Sequence, residues 1–193
     1  MRLAGIVAVL TGLIFALSAP GLTQPASIER PTWAVGDTWT YRQGTAELTW
    51  TVTGITSDGY AVLFKSRSTI DSPHFDRDLL FSGATYFHPI WPLSIGESWK
   101  FTHEDTPQNG VAGRNTYATT ETVVGWEFVS VPAGTFQAIK IHGRECNVTQ
   151  QKGCGDFDVW YASDVKWTVK IAFTAGYWSS TAPRELVSYK VAK

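Results

Sequence analysis

The sequence predicts an all-β fold: a single antiparallel domain of about 9–11 strands whose curved sheet forms a barrel, a half-barrel or a sandwich. Three observations carry this prediction. A short motif occurs twice, apolar residues alternate with period two through most of the chain, and no segment after the N-terminal leader shows a 3.6-residue apolar stripe over helix length. In the motif, Trp33, Gly36, Asp37, Trp39 and Tyr41 are answered about sixty residues later by Trp91, Gly96, Glu97, Trp99 and Phe101. GDTWTY and GESWKF match position by position: glycine, acid, hydroxyl, tryptophan, any residue, aromatic. The glycine permits a turn, the acid can accept bonds from free backbone N–H groups there, and the alternate aromatics fall on one strand face. The pattern is that of an internally duplicated β unit.

The first nineteen residues are read as a signal peptide. Arg2 precedes an apolar or small stretch from Leu3 to Leu17, and Ser18, Ala19 and Pro20 end it. The stretch is shorter than the roughly 20 residues of a membrane span, and no basic residue follows until Arg30. Cleavage is expected near Ser18 or Ala19 or somewhat later, and no cysteine follows to carry a lipid anchor. Residues 20–30 are read as an extended entry segment and 31–193 as one domain, in a first half 31–88 and a second half 89–193. The leader carries one basic and no acidic side chain, so the mature chain has 15 basic and 17 acidic groups. Lys and Arg are scattered singly, which argues against a nucleic-acid partner.

Within the domain, Leu48, Trp50 and Val52 alternate with threonines in a half-buried strand. Asp58-Gly59 turns the chain into a return strand from Tyr60 to Phe64. Ser66 to Asp78 lacks periodicity and contains Pro73, the signature of a loop or short edge element. Apolar character returns from Leu79 to Phe87, before Pro89 and Pro92 make the approach to the second motif irregular. The strand begun by Trp99 and Phe101 is expected to end before a polar loop from His103 to Asn115. Tyr117 to Phe128, the strand ending at Ile141, and the run through Val165, Trp167, Val169, Ile171 and Phe173 follow, with Glu185 to Val191 as the last strand.

Cys146 and Cys154 bracket turn-forming residues between two apolar runs. In an oxidising compartment they pair as a disulfide that clips a hairpin, worth roughly 2–3 kcal/mol for so short a loop. A redox CxxC spacing is absent and no second cysteine pair completes a zinc site.

Four blocks together resemble a known grouping. GDxWxY, then VPAGTFxAxKI at Val131–Ile141, then WYASDVKWTVK at Trp160–Lys170 and ELVSY at Glu185–Tyr189 are similar to the exported bacterial families of unknown function grouped as TapB-like. In those families the third block often reads WY-S/T-P-x-V-G, where this chain has Ala162, Ser163, Asp164 and Lys166. The resemblance implies an exported antiparallel β domain of the bacterial envelope, periplasmic or extracellular, and brings no catalytic residues with it.

Side chains that could carry chemistry are few. His74, Asp76 and Asp78 would share a face if that segment were extended, and His103 could converge with Asp105, but a metal site needs three or four converging ligands. Asp156 and Asp158, at i and i+2 on a strand, stand within the spacing of a glycosidase carboxylate pair, which keeps a hydrolase as one alternative. No GxSxG elbow and no phosphate-cradling glycine loop is present. No cofactor, metal or catalytic residue is assigned.

Nine Trp, seven Tyr and ten Phe are a large aromatic complement for this length. In a curved antiparallel sheet such residues fill a core or leave an apolar concavity for a ligand. The expected role is therefore noncatalytic: binding of an apolar or amphipathic small molecule, with Trp99, Tyr161, Trp167 and Phe173 as walls, or of an envelope protein partner. A purely structural envelope protein and a carbohydrate-binding module are alternatives. A carbohydrate platform needs aromatics on the wet face, whereas alternation places Trp50 with Leu48 and Trp167 with Val169.

Overall fold

The computed structural model describes residues 25–81, 86–105, 114–150, 153–177 and 179–193. The signal peptide lies outside the described residues. β1 (Ser27–Ile28) and β7 (Leu93–Ser94) pair as a small ribbon. Eleven strands form one antiparallel sheet: β2 (Thr38–Gln43), β3 (Ala46–Ile55), β4 (Gly59–Lys65), β5 (Ile70–Asp71), β6 (His74–Asp76), β8 (Ser98–Asp105), β9 (Asn115–Val131), β10 (Gly134–Asn147), β11 (Cys154–Ala162), β12 (Trp167–Gly176) and β13 (Arg184–Lys190). Their order is β5-β4-β3-β2-β13-β12-β11-β10-β9-β8, with β6 also on β4. The sheet is curved and does not close into a barrel. Two meanders are thus joined through the C-terminal strand, which enters between β2 and β12.

β12 and β13 share only the Lys170↔Glu185 and Ile171↔Arg184 positions. The turn between β9 and β10 takes up part of what remains, its Ala133 N–H donating to the Leu186 carbonyl at 3.0 Å. The core has two clusters. One gathers Trp33, Trp39, Tyr41, Tyr60, Phe75 and Leu186, the other Phe87, Ile139, Ile141, Phe157, Val159 and Tyr161; Trp91 and Trp167 pack against both. In the second cluster the Phe157 ring lies on Gly143, its cross-strand partner, where a Cβ would meet the ring at 2.0 Å. A glycine there makes room for the aromatic on the neighbouring strand.

Both motif copies fold the same way along the backbone. Gly36 (φ +94°) donates to the Val52 carbonyl at 2.8 Å while Val52 donates to Asp37; Gly96 (φ +88°) donates to Val123 at 2.9 Å while Val123 donates to Glu97. The acids part company. Asp37 is buried and accepts from the amides of Ala34 (2.9 Å) and Ala192 (2.7 Å), tying the turn to the C-terminus, whereas Glu97 is exposed. Asp37→Ala strands two donors and should cost about 2–3 kcal/mol in urea unfolding, against less than about 0.5 kcal/mol for Glu97→Ala. Equal losses would show that the Asp37 bonds contribute nothing.

Two segments differ from the sequence expectation. β8 runs on through His103 to Asp105 and β9 starts at Asn115, because His103 pairs with Tyr117 and Glu104 with Thr116, and Arg114 bridges to Glu104 at 2.8 Å. The polar residues continue the ladder instead of leaving it. After β6, Asp76 Oδ1 accepts from the amides of Asp78 and Leu80, and Leu79 takes φ +65°. This turn sends the buried Leu79 and then Phe81 into the core without a strand of their own, Phe81 making a single bridge to Phe75.

Candidate functional site

A cavity of about 100 Å³ lies within the aromatic core. β2 supplies Tyr41, β3 Trp50 and β6 Phe75; Phe81 and Phe87 come from the irregular stretch that follows, and β12 adds Trp167. The rings are mutually fixed. Phe75 stacks on Phe81 with centroids 5.4 Å apart, and Trp167 makes edge contacts with Trp33, Phe75 and Phe87 at 5.0, 5.9 and 5.4 Å. Such contacts hold the walls apart without filling the space between them.

Tyr41, Tyr86, Thr168 and Arg184 bring polar groups to this lining, and Arg184 is the charged one. The Tyr41 hydroxyl is spent on the Thr168 carbonyl at 2.8 Å, and burial pushes its phenol well above the usual range. Arg184 stands at the first position of β13, two residues before the buried Leu186 and therefore on the same strand face. Its Nε and one terminal nitrogen both point at a single acceptor, Gln43 Oε1, at 3.4 and 3.3 Å. Gln43 is in turn held by its own donation to the Ala182 carbonyl at 3.2 Å. No carboxylate among the described residues pairs with Arg184, and the neighbouring Glu185 serves Arg42 and Lys170 instead. Arg184 retains some accessible surface, yet enough protein surrounds it that burial lowers its pKa.

A second polar group lies at the other end of the sheet. Glu121 on β9 is fully buried opposite Trp99 of β8, and its Oε2 accepts from the His88 amide at 3.3 Å. Glu145 on β10, also buried, accepts from Thr119 at 3.1 Å and from the Tyr177 hydroxyl at 3.0 Å, with His103 Nε2 at 3.6 Å. Burial pushes the Glu121 carboxyl up to about 8, the nearby Glu145 adding to the rise, and burial with His103 close by lowers the His88 imidazole to about 4. Both groups are neutral near pH 6. Among the described residues no group of three or more His, Cys, Asp and Glu is arranged to hold a metal.

Of the four wall residues read from the sequence, Trp167 lines the cavity. Tyr161 packs between Phe87 and Trp91, Phe173 against Tyr86, and Trp99 faces Glu121. Cys146 and Cys154 are directly opposed in the β10–β11 ladder and form the expected disulfide. The other constellations disperse: Asp156 is paired with Arg144, and Asp158 with Lys140 and His142, each at 2.8 Å. His74 faces Asp58, Asp76 closes the turn after β6, and Asp78 meets Arg30. The Asp105 side chain lies outside the described residues. Sequence reasoning missed Arg184, although its alternation with Leu186 was a usable signal. It could not find Phe75, Phe81 and Phe87 as neighbours, because they come from stretches without periodicity.

No family model and no curated protein matches this chain. Among solved structures it is similar to a Parabacteroides distasonis protein described as a lipoprotein, at 12% identity and a TM-score of 0.48, over 86% of this chain and 100% of the other. A Bacteroides fragilis protein described as exported with a YmcC-like fold gives 15% and 0.44, over 85% and 99%. The hypothetical lipoprotein YmcC of Escherichia coli gives 12% and 0.45, over 83% and 90%. At such identities and scores the likeness does not extend to activity, ligand or location.

Proposed function

We propose that this chain is an exported, noncatalytic β domain that holds a small apolar or amphipathic molecule in the cavity bounded by Tyr41, Trp50, Phe75, Phe87 and Trp167. The cavity carries the reading. A β core of this aromatic content could have packed shut, and natural interiors generally do; here about 100 Å³ stays open among rings, roughly the space that a benzene-sized body needs. The N-terminal leader and the TapB-like resemblance of the sequence blocks support export to the bacterial envelope. The carboxylates that suggested a hydrolase are each committed to a neighbouring cation, which favours binding over chemistry.

The test is native mass spectrometry of protein produced with its leader in a bacterial periplasm and purified without detergent. The expected result is a reproducible added mass that disappears on denaturation and is lost when Trp167→Ala opens the wall. A clean apoprotein mass that stays clean after incubation with a panel of small aromatic and aliphatic compounds would overturn the reading.

A further inference from the structure

Resting on the cavity reading above, we infer that the molecule held there is an anion, with a carboxylate on the Arg184 guanidinium and a short, flat apolar body among the rings of Trp50, Phe75 and Trp167. Three observations converge on this. Arg184 is the charged residue on an otherwise aromatic, aliphatic and hydroxyl-bearing lining. It presents five N–H donors in a planar fork, of which two are engaged among the described residues, both on Gln43 Oε1 at distances near the limit for a hydrogen bond. And it has no carboxylate partner among the described residues, whereas the strand cations Lys140, Arg144 and Lys170 are each paired with one.

A guanidinium partly taken out of water is costly unless an anion compensates it. When the chain itself supplies none, a bound carboxylate does so with the geometry that Arg favours, two parallel N–H···O bonds from one fork. Gln43 braces the guanidinium from one side through its link to Ala182, which leaves the remaining donors for the ligand. The volume limits the rest of the molecule to about one ring or a chain of a few carbons. A phosphate or sulfonate head would compete for the same fork with a bulkier, more strongly hydrated group; the flat carboxylate matches the planar fork with two parallel bonds.

The experiment compares benzoate with benzyl alcohol, which share a one-ring body and differ in charge. Binding is followed by NMR at the Trp50 and Trp167 indole and Arg184 Nε–H signals of the full mature chain. The acid should bind roughly tenfold or more tightly than the alcohol, should move the Arg184 signal, and should lose its advantage over the alcohol in Arg184→Met. Equal binding of acid and alcohol, with shifts at the indoles only, overturns the anion inference and leaves the cavity reading standing. No shift at either indole with either compound sinks both. Should Arg184→Met fail to fold, the comparison on the unaltered protein still decides, and Arg184→Lys, which keeps the charge but loses the fork, should give an intermediate preference.

Discussion

Replacing Trp33 by alanine should lower the stability of the domain by about 3–5 kcal/mol, the upper range for loss of a buried aromatic. Trp33 is 2% exposed and is the hub of the first core cluster. Its ring contacts Trp39, Tyr60, Phe75 and Trp167 at centroid distances of 4.9 to 5.3 Å, joining β2, β4, β6 and β12 through one side chain. The cavity left behind cannot collapse easily, because each of these neighbours is pinned elsewhere: the Trp39 indole N–H donates to Val165 at 2.8 Å, and Phe75 stacks on Phe81. Truncation also leaves the Lys166 carbonyl without the indole donor it now has at 3.0 Å. Trp91, the counterpart in the second motif copy, is partly exposed and donates to Asp78 at the surface, so Trp91→Ala should cost no more than about 2 kcal/mol. Urea unfolding of both variants is the check. Comparable losses would mean that the two motif copies do equivalent work, contrary to their packing.

Raising the pH from 6.5 to 8 should destabilise the protein by about 1.3 kcal/mol, and Glu121→Gln should abolish that fall. In the unfolded chain the Glu121 carboxyl ionises at its ordinary value of 4.5, but in the folded protein it keeps its proton up to about 8. Between those values the folded state binds more protons than the unfolded one. The stability that goes with this is fully present below 4.5 and is lost as pH rises through 8. His88 has the opposite sign: its ordinary 6.5 drops to about 4 on folding, so the unfolded state binds the extra proton, and stability rises with pH across that interval. The two slopes oppose each other between 4.5 and 6.5 and leave a nearly flat stretch there. Above 6.5 the His88 slope fades over about one pH unit and Glu121 dominates, at up to about 1 kcal/mol per pH unit net. Its surroundings sharpen the effect, since Glu145, a second buried carboxyl, disfavours a charge on Glu121 and no Lys or Arg among the described residues is paired with it. Chemical denaturation at closely spaced pH values would show it. A flat profile from 6.5 to 8, or an unaltered decline in Glu121→Gln, would mean that Glu121 is ionised in the fold.

The fold class was legible because strand formation leaves a local trace. A side chain's face is fixed by its parity along the strand, so the alternation of Leu48, Trp50 and Val52, or of Val169, Ile171 and Phe173, can be read without knowing the partner strand. The motif turns were legible for a similar reason, since Gly36 and Gly96 sit at positive φ that the backbone needs there whatever surrounds it. The disulfide followed from two cysteines and a short turn. Thr168 shows the limit: parity puts it outward with Lys166 and Lys170, but it is buried, because the register between β11 and β12 shifts at Trp160/Tyr161. A bulge is a property of two strands and leaves little mark on either.

The same division runs through the candidate site. By itself the sequence determined an antiparallel β chain with paired cysteines, two matched turns and an aromatic supply large enough for a core or a ligand. Only the tertiary structure decided that the two matched turns have unequal burial, that Asp156 and Asp158 are committed to cations, and that Arg184 meets Trp50, Phe75 and Trp167 around one cavity. The physical reason is range. Strand parity, turn geometry and a short cysteine loop are set by residues a few positions apart. The cavity, the counter-ions and the buried carboxyl of Glu121 depend instead on which strands lie together, with Tyr41 and Arg184 brought side by side across more than a hundred residues by the pairing of β2 with β13.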